Sequence, residues 1–121
     1  MTTERVCAVY IIRNINSGKV YIGSSRNYYS RKAAHETALR HDHHVSREMQ
    51  KDFNRGDRFE FEILEVFSET ATNEEVSARE REFVIKYDSV KNGYNTATPG
   101  GMVLLEGMAN SEKKTQYNNI I

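Results

Sequence analysis

A chain of 121 residues with a single cysteine, Cys7, can fold around one hydrophobic core but excludes an internal disulfide framework or a cysteine-based zinc cluster. Its longest apolar run, about Val6 to Ile12, is far short of the roughly twenty residues that span a membrane, and no secretory signal precedes it, so the composition reads as a soluble, cytoplasmic protein. The formal charge of zero hides an asymmetry: residues 1–58 carry 11 Lys and Arg against 6 Asp and Glu, residues 59–121 carry 6 against 11, and all four histidines fall in the basic half, which suits a polyanion such as nucleic acid.

Val6 to Arg13 is rich in β-branched residues, and Lys19 to Ser24 alternates Val20 and Ile22 against Tyr21 and Gly23. The two segments read as a hairpin, with Asn14, Asn16, Ser17 and Gly18 supplying the turn. A turn centred between Ile15 and Asn16 places Tyr10 directly opposite Tyr21, with side chains about 5 Å apart. Ser30 to about Arg40 follows as a helix and His41-Asp42-His43-His44 as a polar break. A second helix, Val45 to about Arg55, sets Val45, Met49 and Phe53 on one face and a cationic stripe of Arg47, Lys51 and Arg55 on another.

Phe59 to Phe67 reads as a strand with Phe59, Phe61, Ile63 and Phe67 on one face and Glu60, Glu62 and Leu64 on the other. Thr72 and Glu75 form a capping box for a third helix running to about Tyr87. Lys91 to Asn95 is a turn, and Pro99-Gly100-Gly101 a break. This order of elements implies an α+β domain over residues 1–101, a small, mainly antiparallel sheet covered by helices. Residues 102–121 form a C-terminal tail in which a short helix could start at Ser111.

Three features carry chemistry. On the third helix Val76, Phe83, Val84 and Tyr87 mark an apolar stripe, and Glu80 falls in its middle. A carboxylate there must be paired, protonated or bound to a metal. On the first helix Arg31 and His35, four residues apart, share a face: Arg offers a donor fork for phosphate oxygens, and His can relay a proton. His41, His43 and His44 invite a zinc reading, but no Cys or acidic cluster completes a four-ligand set.

With Tyr10, Tyr21, Arg31, His35 and Glu80 in this order, the chain resembles the GIY-YIG nucleases, and within them the catalytic domain of phage intron-encoded homing endonucleases. Ala8-Val9-Tyr10 and Tyr21-Ile22-Gly23 match the two name-giving motifs, with Ala8-Val9 in place of Gly-Ile. Arg31 and His35 match the family arginine and the frequent histidine one turn later, His44 a further histidine, and Asn92-Gly93-Tyr94-Asn95 the closing segment. Glu80 matches the metal-binding glutamate, although an alignment shifted by two residues would nominate Glu82.

The resemblance implies a three-stranded sheet flanked by helices and a phosphodiester hydrolase of DNA that uses one divalent ion, Mg²⁺ or Mn²⁺, held by Glu80. Arg31 would bind the phosphate, and Tyr10 would activate water within a network of Tyr21 and His35. Which tyrosine takes the proton stays open. His44 and Asn95 would support the site, His41 and His43 would be exposed, and Arg47, Lys51 and Arg55 would contact the DNA backbone. Specificity would be low, or would come from a homodimer or a partner protein. Rival readings are a repair or restriction nuclease of the same superfamily, a catalytically silent nucleic-acid-binding module and a purely structural interaction domain, the last of which leaves Glu80 in the stripe unexplained.

Overall fold

Asn14 closes the first hairpin. Its side-chain oxygen accepts the N–H groups of Asn16 at 2.9 Å and Ser17 at 3.1 Å, an Asx turn, and Gly18 completes the reversal at φ 85°. A computed structural model describes residues 5–96 and contains six elements. They are β1 (Cys7–Asn14), β2 (Val20–Ser25), α1 (Tyr28–Arg40), α2 (Arg47–Asn54), β3 (Phe59–Phe67) and α3 (Asn73–Tyr87). The tail 102–121 lies outside the described residues.

The strands form one antiparallel sheet in the order β2-β1-β3. Central β1 is buried on both faces from Cys7 to Ile12, which is why its sequence is a continuous apolar run. On one face Cys7, Val9, Ile11, Val20 and Ile22 pack against Val76 and Val84 of α3. On the other, Ala8, Tyr10 and Ile12 pack with Tyr28, Leu39 and Met49 from α1 and α2 and with Tyr94. The Thr72–Glu75 capping box is present and opens α3 at Asn73. Among the described residues no helix is long and apolar enough to cross a membrane.

Three sequence expectations need correction. The hairpin turn is centred between Asn16 and Ser17, so Tyr10 faces Gly23 and Tyr21 faces Ile12. The two tyrosines are diagonal neighbours on one face, with ring centroids 6.4 Å apart. In β3 the pairing skips Leu64, since Val9 pairs with Glu65 and Tyr10 with Ile63. This bulge moves Phe67 to the α3 face, away from Phe59, Phe61 and Ile63. Finally, Val45 precedes α2 and is 91% exposed, because Ser46 is the N-cap and accepts the Met49 N–H.

Candidate active site

The hairpin register brings Tyr10 and Tyr21 to the sheet face that α1 covers, at the Gly23 end of β2. Asn27 caps α1, accepting the Ser30 N–H, so the helix starts at Tyr28 and turns His35 inward with Tyr28 and Leu39. His35 wedges between the tyrosines, with ring centroids 5.7 Å from Tyr10 and 5.6 Å from Tyr21. Its Nε2 lies 2.8 Å from Tyr10 Oη, and its Nδ1 lies 2.8 Å from Nε2 of the buried His44. Tyr10 is 1% exposed, whereas Tyr21 is half-buried and keeps an open face.

Glu80 reaches this group from α3, on the opposite face of the sheet. Because β2 is an edge strand, the two faces meet around it. The Ser24 hydroxyl donates to Glu80 Oε1. Arg31, exposed on α1 one turn before His35, is close enough to act electrostatically on Tyr10, Tyr21 and Glu80. Burial sets the protonation states: it raises the phenols of Tyr10 and Tyr21 and the carboxyl of Glu80, and lowers His35 to about 4. At neutral pH the interior of the site therefore holds neutral phenols and a neutral imidazole.

The donors fit a hard cation held largely by non-protein ligands. Glu80 is a half-buried carboxylate hydrogen-bonded to the neutral hydroxyl of Ser24, and Arg31 acts on it electrostatically without closing an ion pair among the described residues, so its oxygens can still serve a cation. Among the described residues no three His, Cys, Asp or Glu side chains gather as a ready-made metal cage. One carboxylate plus water and phosphate oxygens is the arrangement that such a site permits. Glu82 is exposed and bound by Arg79, which also holds Glu65 at 2.7 Å.

Asn95 braces the site from outside. Its side-chain oxygen accepts the Ile22 N–H at 2.8 Å and its amide donates to the Ile22 carbonyl at 2.9 Å, so one side chain pairs with the free edge of β2 as a strand would. Gly93 fits beneath it because a β-carbon there would collide with the Val20 carbonyl. His41 and His43 are exposed.

The cationic stripe of α2 is partly committed elsewhere. Arg47 binds Asp42 at 3.3 Å, and Arg55 bridges Asp52 and Asp57 at the hairpin-turn end of the sheet. Lys51 is exposed. Sequence reasoning missed Ser24, for which adjacency to the Tyr21-Ile22-Gly23 motif was the available signal. It also missed Gln50, a fully buried amide beside Met49 that no apolar pattern reveals.

The fold has counterparts among known proteins. A profile of the GIY-YIG catalytic domain matches residues 6–95. Intron-associated endonuclease 1 of Enterobacteria phage T4 is 33% identical over 90 residues, covering 74% of this chain and 36% of that protein. A solved catalytic domain of homing endonuclease I-TevI superposes with a TM-score of 0.69 at 32% identity, covering 75% of this chain and 98% of that one. A point mutant of the I-TevI catalytic domain gives 0.70 at 30% identity, covering 77% and 95%. The chain belongs to the GIY-YIG family, and residues 6–95 match the family's catalytic domain. It spans about a third of the length of the phage relative.

Proposed function

We propose that this domain is a metal-dependent DNA endonuclease that hydrolyses phosphodiester bonds. The observation that carries the reading is the convergence of Tyr10, Tyr21, His35, Arg31 and Glu80, drawn from β1, β2, α1 and α3, around the edge of β2. Glu80, oriented by Ser24, would hold Mg²⁺ or Mn²⁺. Such an ion, when bound, stabilises negative charge developing on the leaving oxygen. Arg31 places an exposed guanidinium beside the phenols, where it would bind the scissile phosphate and its transition state.

Tyr10 would activate the water. Because burial keeps it a neutral phenol, it must give up its own proton as it receives one from water. Tyr21, with its open face, would line the approach and orient the nucleophile. Lys51 and the exposed guanidinium edges of Arg47 and Arg55 would meet the DNA backbone, at a net strength reduced by the internal ion pairs of the two arginines. The solved catalytic domain named as that of a homing endonuclease favours a homing role over repair or restriction, and this chain would act on DNA in the cytoplasm. Sequence preference would come from a second copy or a partner protein.

Supercoiled-plasmid cleavage tests the reading. Nicking or linearisation with Mg²⁺, abolished by EDTA, is the expected result. Retardation of DNA on a gel without cleavage in either condition would favour the silent binding module.

A further inference from the structure

We infer that His44 and His35 form a hydrogen-bond chain of fixed polarity, anchored by the backbone amide of Ser46, which donates to the Tyr10 oxygen. The Ser46 N–H can only donate, and it lies 3.0 Å from His44 Nδ1. That nitrogen must be the bare one of a neutral imidazole, so the ring proton is on Nε2.

His44 Nε2 faces His35 Nδ1 at 2.8 Å. The rings are nearly coplanar, 23° apart, with centroids separated by 5.0 Å. Two imidazoles meeting edge to edge along an N–H···N line have this spacing. His35 Nδ1 therefore accepts, its proton is on Nε2, and Nε2 donates to Tyr10 Oη at 2.8 Å. Reversing the chain would put a proton on His44 Nδ1, against the Ser46 N–H, and an imidazolium on either ring would set two donors against each other. Burial works in the same direction, lowering both histidines.

The anchor is rigid. Ser46 caps α2 by accepting the Met49 N–H at 3.2 Å. Gln50, fully buried, accepts the His44 N–H at 3.0 Å and donates to the Leu39 carbonyl at 2.9 Å, tying the loop to the C-terminal turn of α1. His44 is thus a positioning residue that acts on Tyr10 through His35.

One consequence rests on the nuclease reading. As the water oxygen bonds to phosphorus and the bond from phosphorus to the leaving oxygen breaks, the water's proton passes to Tyr10 Oη, the phenolic proton leaves to a non-bridging phosphate oxygen, and the leaving alkoxide takes a proton from solvent water. The histidines donate to the phenolic oxygen throughout and do not take its proton.

Long-range ¹⁵N–¹H NMR of the imidazoles in the full chain, free of metal at neutral pH, reads the chain directly. Both His35 and His44 are expected as Nε2–H tautomers; an Nδ1–H His35 would overturn the inference. Ser46→Ala keeps the amide and should keep this pattern, whereas Ser46→Pro deletes the donor and should release an Nδ1–H population on both rings. Identical spectra for these two variants would refute the role of the amide. If Ser46→Pro fails to fold, His44→Ala serves: an Nδ1–H population should appear on His35, and an unchanged His35 would refute the coupling. Plasmid cleavage by wild type separates the two claims, since Nε2–H histidines in an inactive protein would leave the chain standing and remove only its catalytic consequence.

Discussion

Gly23 lies directly across β1 and β2 from Tyr10, and a β-carbon in its place would stand 2.5 Å from the Tyr10 oxygen and 2.6 Å from its Cζ. The glycine is thus required by the phenol that lies over it, not by its own backbone conformation. Gly23→Ala should cost about 1–3 kcal/mol through overpacking and displace Tyr10 Oη from His35. Urea melts read the first effect, and loss of plasmid nicking in protein that is still folded reads the second.

Asn95 should behave as a structural part of β2. Asn95→Ala leaves the Ile22 N–H and carbonyl without their partner, at a cost of about 1–3 kcal/mol. Its hydrogen-exchange signature should be local, with faster exchange at Ile22 and little change at β3.

Ser24 aims Glu80, so Ser24→Ala should lower cleavage roughly 10- to 100-fold, the usual cost of losing a bond that orients a metal-binding side chain. Raising Mg²⁺ should recover part of the loss, which distinguishes weakened metal binding from misfolding.

Stability should fall on mild acidification. His35 titrates near 4 in the folded chain against an ordinary 6.5, so between these values the unfolded chain binds more protons. The stability that His35 confers is complete above about pH 6.5 and is lost as pH falls toward about 4, amounting to about 2 kcal/mol between pH 7 and 5. His44, also lowered by burial, adds in the same sense, while the raised Glu80 partly offsets it. Denaturant midpoints for wild type and His35→Gln at both pH values isolate the effect: the variant should lose less stability.

Much of this was legible because the signals were local. The strand periodicity of Val20 to Ser24, the Thr72–Glu75 box and the displaced Glu80 each depend on residues within one element. What was not legible depended on side-chain contacts that a strand or helix pattern does not show, several of them between residues far apart in the chain. The hairpin register followed from the Asn14 side chain, which also donates to Asp57 and Tyr94, 43 and 80 residues away. The Leu64 bulge appears only against β1, and Arg47 and Arg55 look like free cations until Asp42, Asp52 and Asp57 fold against them. Gln50 is an ordinary helix-surface residue until the loop carrying His44 closes over it.

The central claim is that Glu80, and not its neighbour Glu82, carries the metal-dependent step. Glu82 is exposed and paired with Arg79, while Glu80 turns inward to Ser24 beside Arg31 and the tyrosines. Supercoiled-plasmid nicking with Mg²⁺, run side by side for wild type, Glu80→Ala and Glu82→Ala at equal concentration, tests it most directly. The account predicts that Glu80→Ala is inactive and that Glu82→Ala cleaves at close to the wild-type rate. Nicking by Glu80→Ala, or its loss in Glu82→Ala alone, would contradict it.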